Sequence, residues 1–416
     1  MNSSVFLKIF EYCLLPILTK TLTINSRQFG FRDNTDCVSA VCVLKEIILK
    51  YTNDNSFVHC AMLDLSQAFD KININKLVSK LRASETPKLV VDIIEYIYCN
   101  SYVRVAFGDS LSKEWKLGNG VRQGGILSPL LFNFYLNSMI NEISKLRVGC
   151  QLNYSMFNII CYADDIVLLA PSRNGLKVLI DTAYLCLVKL GLRLNTSKSN
   201  YIVFRNPKSK SPQTSMDING VDINKVFNCT YLGISISDYL NISSDIDRSL
   251  SNFLKQFNSF YGRFYFMNQQ ILNFLFATFT SSFYGIEKSY NRDSCLTKLR
   301  RMAIAYHKCV KKIAHFNMWD SNHEACSLVG VPIFKHLMNK RLVLFLFRTI
   351  NSNSPCLSNF SSFFRYKSFV SKFTKKLFFD EYSVDIFTNP ICALLARVEY
   401  VERTEERSYY SYVPSL

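Results

Sequence analysis

An α+β fold is what this sequence predicts, and three observations carry the prediction. Over roughly the first 240 residues, short runs of β-branched and aromatic residues alternate with amphipathic stretches, the pattern of strands backed by helices. From about Asp245 the periodicity turns helical almost throughout. Hydrophobic residues make up 49% of the 416, enough for a sizeable core and two or three domains.

The elements follow in order. Residues 4–24 read as an amphipathic helix whose apolar run is interrupted by Lys8 and Glu11. RQFGFRDN, residues 27–34, separates it from a second helix over 36–51. A first strand covers 57–65 and enters the polar turn Ser66-Gln67. A helix begins near Asn73, and another covers about 87–100. VRVAFGD and KEWKLGNGVRQ read as a β-hairpin. Residues 127–146 form a helix with Pro129 in its first turn, where proline is tolerated. Phe157 to Tyr162 and Ile166 to Ala170 read as two strands, and a helix over 174–191 ends at Gly191. Residues 195–204 and 227–237 supply further β elements.

Charge narrows the class of partner. Lys and Arg number 49 against 32 Asp and Glu, a net charge of +17, which favours a polyanion, nucleic acid above all, over a membrane surface. No window reaches the ~18 uninterrupted apolar residues of a membrane span. The N-terminus lacks the basic start of a signal peptide. The 14 cysteines are scattered without a Cys-x-x-Cys pair, so they read as reduced core thiols. His307, Cys309, His315, His323 and Cys326 match no common zinc spacing and read as structural.

The chemistry concentrates in carboxylates. Asp164-Asp165 interrupts the apolar run FNIICYADDIVLLA, and the natural geometry is a hairpin with both acids at or near its turn. No Lys or Arg lies within that run, so a divalent cation would relieve the cost of two charges in an apolar setting. Asp64 ends the first strand, and if the two strands lie side by side it faces the same pocket. Alternation of strand residues makes Asp64 and Asp164 the principal pair and Asp165 the weaker third. Singly, each signal is bland: an Asp-Asp pair is commonly a solvated turn, and Asp64 a helix cap. GNGVRQGGILSPLLF, residues 118–132, adds a glycine-rich loop feeding a helix N-terminus, where backbone N–H groups can meet phosphate and Arg122 and Gln123 offer further donors.

Six blocks in order, QFGFR at 28–32, LDLSQAFDKI at 63–72, GVRQGGILSPLLFNFYLN at 120–137, YADDIVLLA at 162–170, GLRLNTSKS at 191–199 and YLGI at 231–234, resemble the reverse transcriptase of a LINE-type, non-LTR, jockey-like retrotransposon. The resemblance implies a right-hand polymerase with an antiparallel-sheet palm backed by helices. Partial fingers would lie at 1–56, the palm at 57–240 and a helical thumb at 241–350, with a basic-aromatic region and polar tail at 351–416. It implies RNA-directed DNA synthesis from dNTP on an RNA template and a DNA primer, with two Mg²⁺ ions (Mn²⁺ as the alternative) held by Asp64, Asp164 and Asp165. Phe69 matches the aromatic gate that excludes a ribose 2′-OH. Gln123 and Gly124 match the loop at template and nucleotide, Lys198 a proton donor to pyrophosphate, and Tyr231-Leu232-Gly233 the primer grip. Arg32 is the candidate to grip the triphosphate. On the basic helix over 296–314, Lys298, Arg300, Arg301, Lys308, Lys311 and Lys312 can follow a nucleic-acid backbone. FFRYKSFVSKFTKKLFF at 363–379 interleaves charge and aromatics. A nuclear location follows from where such an element integrates, and no protein partner or membrane is implied.

The sequence also departs from the family. Only 27 residues precede the QFGFR block, where relatives carry a fuller fingers segment, and Asp33-Asn34-Thr35 replaces the usual continuation. A truncated, catalytically inactive remnant that binds nucleic acid is therefore the alternative. An RNA-dependent RNA polymerase is a third reading, against which Phe69 and the Tyr-Ala-Asp-Asp form speak.

Overall fold

The computed structural model describes residues 5–152, 155–240, 242–280, 283 and 296–350. The chain divides after Leu240 into two units. In the first, α1 (Val5–Thr21) and α2 (Cys37–Asn53) precede β1 (Val58–Leu63), and α3 (Ile74–Arg82) and α4 (Lys88–Cys99) follow it. Next come β2 (Tyr102–Val103), β3 (Ala106–Phe107), β4 (Ser110–Leu111) and β5 (Trp115–Lys116). The β3–β4 pair is nested inside β2–β5, so the expected hairpin is two short ladders. Then follow α5 (Ser128–Lys145), β6 (Cys150–Leu152), β7 (Ser155–Phe157), β8 (Ile159–Tyr162), β9 (Asp165–Ala170), α6 (Arg173–Leu190) and β10 (Asn200–Phe204). β11 (Met216–Ile218), β12 (Val221–Lys225), β13 (Asn228–Tyr231) and β14 (Ile234–Ser237) complete the unit.

One six-stranded sheet, in the order β11-β12-β10-β1-β9-β8, organises these elements. β1 lies at its centre, antiparallel to both β9 and β10; β10–β12 is parallel. Ala61 and Leu63 of β1, Ile166 and Leu168 of β9 and Tyr201 and Val203 of β10 enter one core with Leu77 and Leu81 of α3, Phe132, Leu136 and Met139 of α5 and Leu179 and Ala183 of α6. The helix α2 packs on β1 and β8. Burial of these apolar faces is the main stabilising term.

Local signals set the helix ends. Asp36, Asn73 and Ser172 each accept a backbone N–H in the first turn of α2, α3 and α6. Gly191 stops α6 at φ 78°, the left-handed geometry glycine adopts without a Cβ penalty.

Three features differ from the sequence reading. The apolar run 157–162 is split at Asn158, whose buried amide donates to the carbonyls of Ile143 (2.7 Å) and Leu146 (3.3 Å), so β7 and β8 belong to different ladders. β10 starts at Asn200 because residues 195–199 instead form a loop bonded to the end of β1. β11 and β12, two short strands without a strong apolar run, extend the sheet.

The second unit is helical: α7 (Ile242–Phe264), α8 (Gln269–Leu275), a π-helical turn over Phe276–Thr280, α9 (Leu296–Ile313), α10 (Asn322–Val329) and α11 (Phe334–Ile350). Its core is aromatic, built on Phe253, Phe257, Phe276, Phe283, Tyr306 and Phe334. Among the described residues no helix is long and apolar enough to cross a membrane. The basic-aromatic stretch 363–379 lies outside the described residues.

Candidate active site

The carboxylates come together through strand pairing. β8 and β9 form a hairpin whose last ladder pair is Tyr162–Asp165, leaving Ala163 and Asp164 as a two-residue turn. Ala163 has φ 53°, the left-handed geometry a turn this tight demands. β1 runs alongside β9 with Leu63 opposite Ile166. One step further, the same register sets Asp64 opposite Asp165, with Asp164 in the adjoining turn. Asp64 is anchored through its backbone: its N–H donates to Ser199 Oγ at 3.2 Å, and its carbonyl accepts from Asn195 N at 2.8 Å. The side chain is left to the site, and Lys198, exposed in that same loop, is held near the end of β1.

These acids perturb one another. Asp165 is accessible to water yet surrounded by much protein, and its carboxyl is pushed up to about 6, by burial first and then by the charges of Asp164 and Asp64. Asp164 is raised as well, by burial and, in smaller part, by Asp64. Among the described residues no three acidic, His or Cys side chains converge closely enough to form a ready-made metal cage. The donor set nonetheless fits a hard divalent cation: three mutually repelling carboxylates whose oxygens suit Mg²⁺ or Mn²⁺. The five His and Cys residues between 307 and 326 do not form such a group either, and His307 accepts the backbone N–H of Phe334 at 3.3 Å.

The pH dependence follows by sign. A carboxyl raised above its unfolded value binds protons more readily in the native state, so metal-free stability falls as pH rises from about 4 through about 6. A cation bound by these carboxylates would compete with those protons, so its affinity would rise over the same interval. Stabilisation by millimolar Mg²⁺ in thermal melts is expected to be small at about pH 5 and clear at about pH 7.5. Equal shifts at both pH values would exclude these carboxylates as the ligands.

The glycine-rich loop lies against the turn after β1. Val121 N donates to Phe69 O (2.9 Å) and Gly120 N to Ile72 O (2.8 Å). A Cβ on Gly120 would come within 2.8 Å of the Asp70 carbonyl oxygen, so glycine is required there. Phe69 is half-buried and stacks on Phe132 with ring centroids 4.3 Å apart. Gln123 donates to both carboxylate oxygens of Asp70, at 3.1 and 3.2 Å, and Gly124, at φ 82°, has open space around it.

Other expected residues are engaged differently. Arg122, expected at nucleic acid, turns inward: it donates to Ile97 O (3.0 Å) and Ser101 Oγ (2.6 Å) and lies 4.0 Å from the buried Glu11. Arg32 braces its own block by donating to the carbonyls of Asn25 (3.0 Å) and Gln28 (3.1 Å). Leu232 and Gly233, both at positive φ, form the tight turn of the β13–β14 hairpin, and Tyr231 is buried. Asp165 is among the charges that bear on the Tyr231 phenol, whose pKa burial raises well above the ordinary value. On α9, Arg300, Arg301, Lys308 and Lys312 are exposed. Lys298 is instead ion-paired with Asp247, and Lys311 is buried with its ammonium donating to Met318 O at 2.9 Å.

Sequence reasoning missed two residues. Glu11 is 1% exposed, and its carboxylate accepts from Ile126 N at 2.7 Å, tying α1 to the loop. Gln28 is fully buried against the Ala163 turn. The signal for Glu11 was a lone acid in an apolar helical run; Gln28 carried none beyond its place in the QFGFR block.

A mainly antiparallel sheet backed by helices, with three carboxylates at one end, is consistent with a right-hand polymerase fold. The family model for reverse transcriptase (RNA-dependent DNA polymerase) matches residues 2–236, and the chain belongs to that family. Its similar proteins come from mobile elements, which supports a LINE-type, non-LTR reverse transcriptase. The Pol polyprotein of the type-2 retrotransposable element R2DM of Drosophila melanogaster is 30% identical over 197 residues, covering 47% of this chain and 18% of that protein. The RNA-directed DNA polymerase of the mobile element jockey of Drosophila melanogaster is 25% identical over 239 residues, covering 56% and 25%. The chain thus spans a quarter or less of these relatives' length. Among solved structures, telomerase from Candida tropicalis bound to an RNA fragment is similar at a TM-score of 0.43 and 11% identity, covering 88% of this chain and 57% of that one.

Proposed function

We propose that this chain is an RNA-directed DNA polymerase, extending a DNA primer on an RNA template by transfer of nucleotides from dNTP. The observation that carries the reading is the register of β1 against β9, which brings Asp64 beside the Asp164-Asp165 hairpin. We read the first unit as palm with fingers elements and the second as a thumb-like region. Asp64, Asp164 and Asp165 would hold two Mg²⁺, which when bound supply charge stabilisation for the attacking 3′-oxygen and the leaving pyrophosphate. The chain's own residues do the rest. Phe69, backed by Phe132, presents a rigid wall at the sugar. The loop over 120–125 offers backbone approach to the nucleotide, with Gln123 exchanging Asp70 for it. Lys198, exposed in the loop beside the end of β1, can deliver a proton to a leaving phosphate. The Tyr231–Gly233 hairpin positions the primer end, and the exposed cations of α9, Arg300, Arg301, Lys308 and Lys312, follow the backbone of the product. Integration needs chromosomal DNA, so we infer nuclear residence.

A second reading, a remnant that binds without polymerising, draws on the internal engagement of Arg32 and Arg122. Primer extension on an RNA template with Mg²⁺ and deoxynucleotides separates the two: extension supports the polymerase, while template–primer binding without extension supports the remnant. In the active protein, Phe69→Ala is expected to raise ribonucleotide incorporation by about tenfold or more relative to deoxynucleotide, a change of ~1.4 kcal/mol in discrimination. Unchanged discrimination would remove Phe69 from the sugar.

A further inference from the structure

We infer that Gln28 is a positioning residue for the catalytic turn: its buried side-chain amide grips the backbone of Ala163 and so fixes the angle at which Asp164 and Asp165 are presented. In a two-residue hairpin turn the first central residue has no ladder partner. Here both of its polar groups find Gln28. Ala163 N donates to Gln28 Oε1 at 2.8 Å, and Gln28 Nε2 donates to Ala163 O at 3.2 Å. The side chain thus pairs with Ala163 as a neighbouring strand would.

The grip is rigid from behind. Gln28 is fully buried, and its Oε1 also accepts from Gly30 N at 3.0 Å, which locks the rotamer. Residues 27–29 make one parallel bridge to β8: Phe29 N donates to Cys161 O (2.8 Å) and Cys161 N to Arg27 O (2.9 Å). From α5, buried Asn133 donates to Gly30 O at 2.7 Å. Gly30 lies so close that an added Cβ would sit 2.5 Å from Ala163 N. The block at 28–30 therefore fits the turn by both hydrogen bonds and shape.

The turn needs this outside hold. A non-glycine residue at φ 53° is unfavourable, and alanine lacks the side-chain amide or carboxyl with which Asn or Asp stabilises that geometry. Asp164 is bonded directly to this strained residue. A loosened Ala163 would let the carboxylates swing by a fraction of an ångström or more, which is enough to slow in-line chemistry.

The inference rests on the polymerase reading for its kinetic test and stands apart from it in a second. Gln28→Ala removes the grip. Gln28→Glu keeps the shape and the two accepted bonds but loses the donor to Ala163 O. For both, kcat for nucleotide addition is expected to fall about tenfold or more, with KM for dNTP and template–primer affinity within about twofold of the parent. Hydrogen–deuterium exchange should quicken in a peptide spanning Ile159–Leu168 and stay unchanged in α3 and α4. Unchanged kcat in an active protein, or unchanged exchange at the turn, overturns the inference. So does quickened exchange throughout the first unit, which marks a general structural role. If the parent protein does not extend primers at all, the functional reading falls, and exchange alone decides the grip.

Discussion

On the proposed polymerase function, Asp164→Ala is expected to reduce templated extension by about 10³-fold or more, equivalent to ~4 kcal/mol of transition-state stabilisation. The residue occupies the turn between β8 and β9, beside Asp165 and within the field of Asp64. Removing one of three carboxylates leaves too few charged oxygens to hold two divalent cations. The same change relieves like-charge repulsion, so the metal-free protein is expected to melt no lower than the parent, and Mg²⁺ to raise its melting temperature less. Single-nucleotide extension and paired melts with and without Mg²⁺ measure both arms. Extension at the parental rate would show that the metal site lies elsewhere. A variant that is inactive because it unfolds would be revealed by the melts.

Glu11→Ala is expected to cost about 3–5 kcal/mol of stability, because it strands the Arg122 guanidinium in the interior. The pair is separated by 4.0 Å, with Glu11 1% and Arg122 16% exposed at the side chain. Among the described residues Glu11 Oε1 and Arg122 Nη1 have no hydrogen-bond partner, and the neutral acceptors that Arg122 Nη2 keeps, Ile97 O and Ser101 Oγ, compensate only in part for a lost carboxylate. The carboxylate also holds Ile126 N at the entry to α5. Urea titration reads the loss directly. Replacing both residues, Glu11→Met with Arg122→Met, should recover much of it. A cost below about 1 kcal/mol would mean that water reaches the pair and that α1 is not tied to the loop.

Much of this was readable in the sequence, and the boundary has a physical cause. The Asp164-Asp165 hairpin announced itself because two charges cannot sit unexplained within an apolar run. Asn73 and Gly191 marked helix ends because capping and left-handed geometry are local requirements. The placement of β1 beside β9 was posed only as a condition, from carboxylates at the end of one strand and the start of the other, and the ladder meets it. The choice of partner by a polar side chain was not readable. Arg122 looked like a phosphate ligand because the loop around it is glycine-rich, yet its partners, Ile97, Ser101 and Glu11, come from α4, the turn after it, and α1. Gln28 was equally silent, since its role depends on the turn at Ala163, far along the chain. Asn158 broke a strand that hydrophobicity alone would have continued.

The central place of β1 has a consequence for how the protein is made. Its two partners are distant in the chain: Leu63 waits for Ile166, and Val58 for Phe204. During synthesis both edges of this apolar strand stay unsatisfied until β9 emerges, and one of them until β10 leaves the ribosome, a situation that slows folding and invites association with other chains. Fragments ending before Phe204 should therefore collect in aggregates, and recovery of soluble protein should depend on chaperone supply and growth temperature more than on anything at the carboxylates.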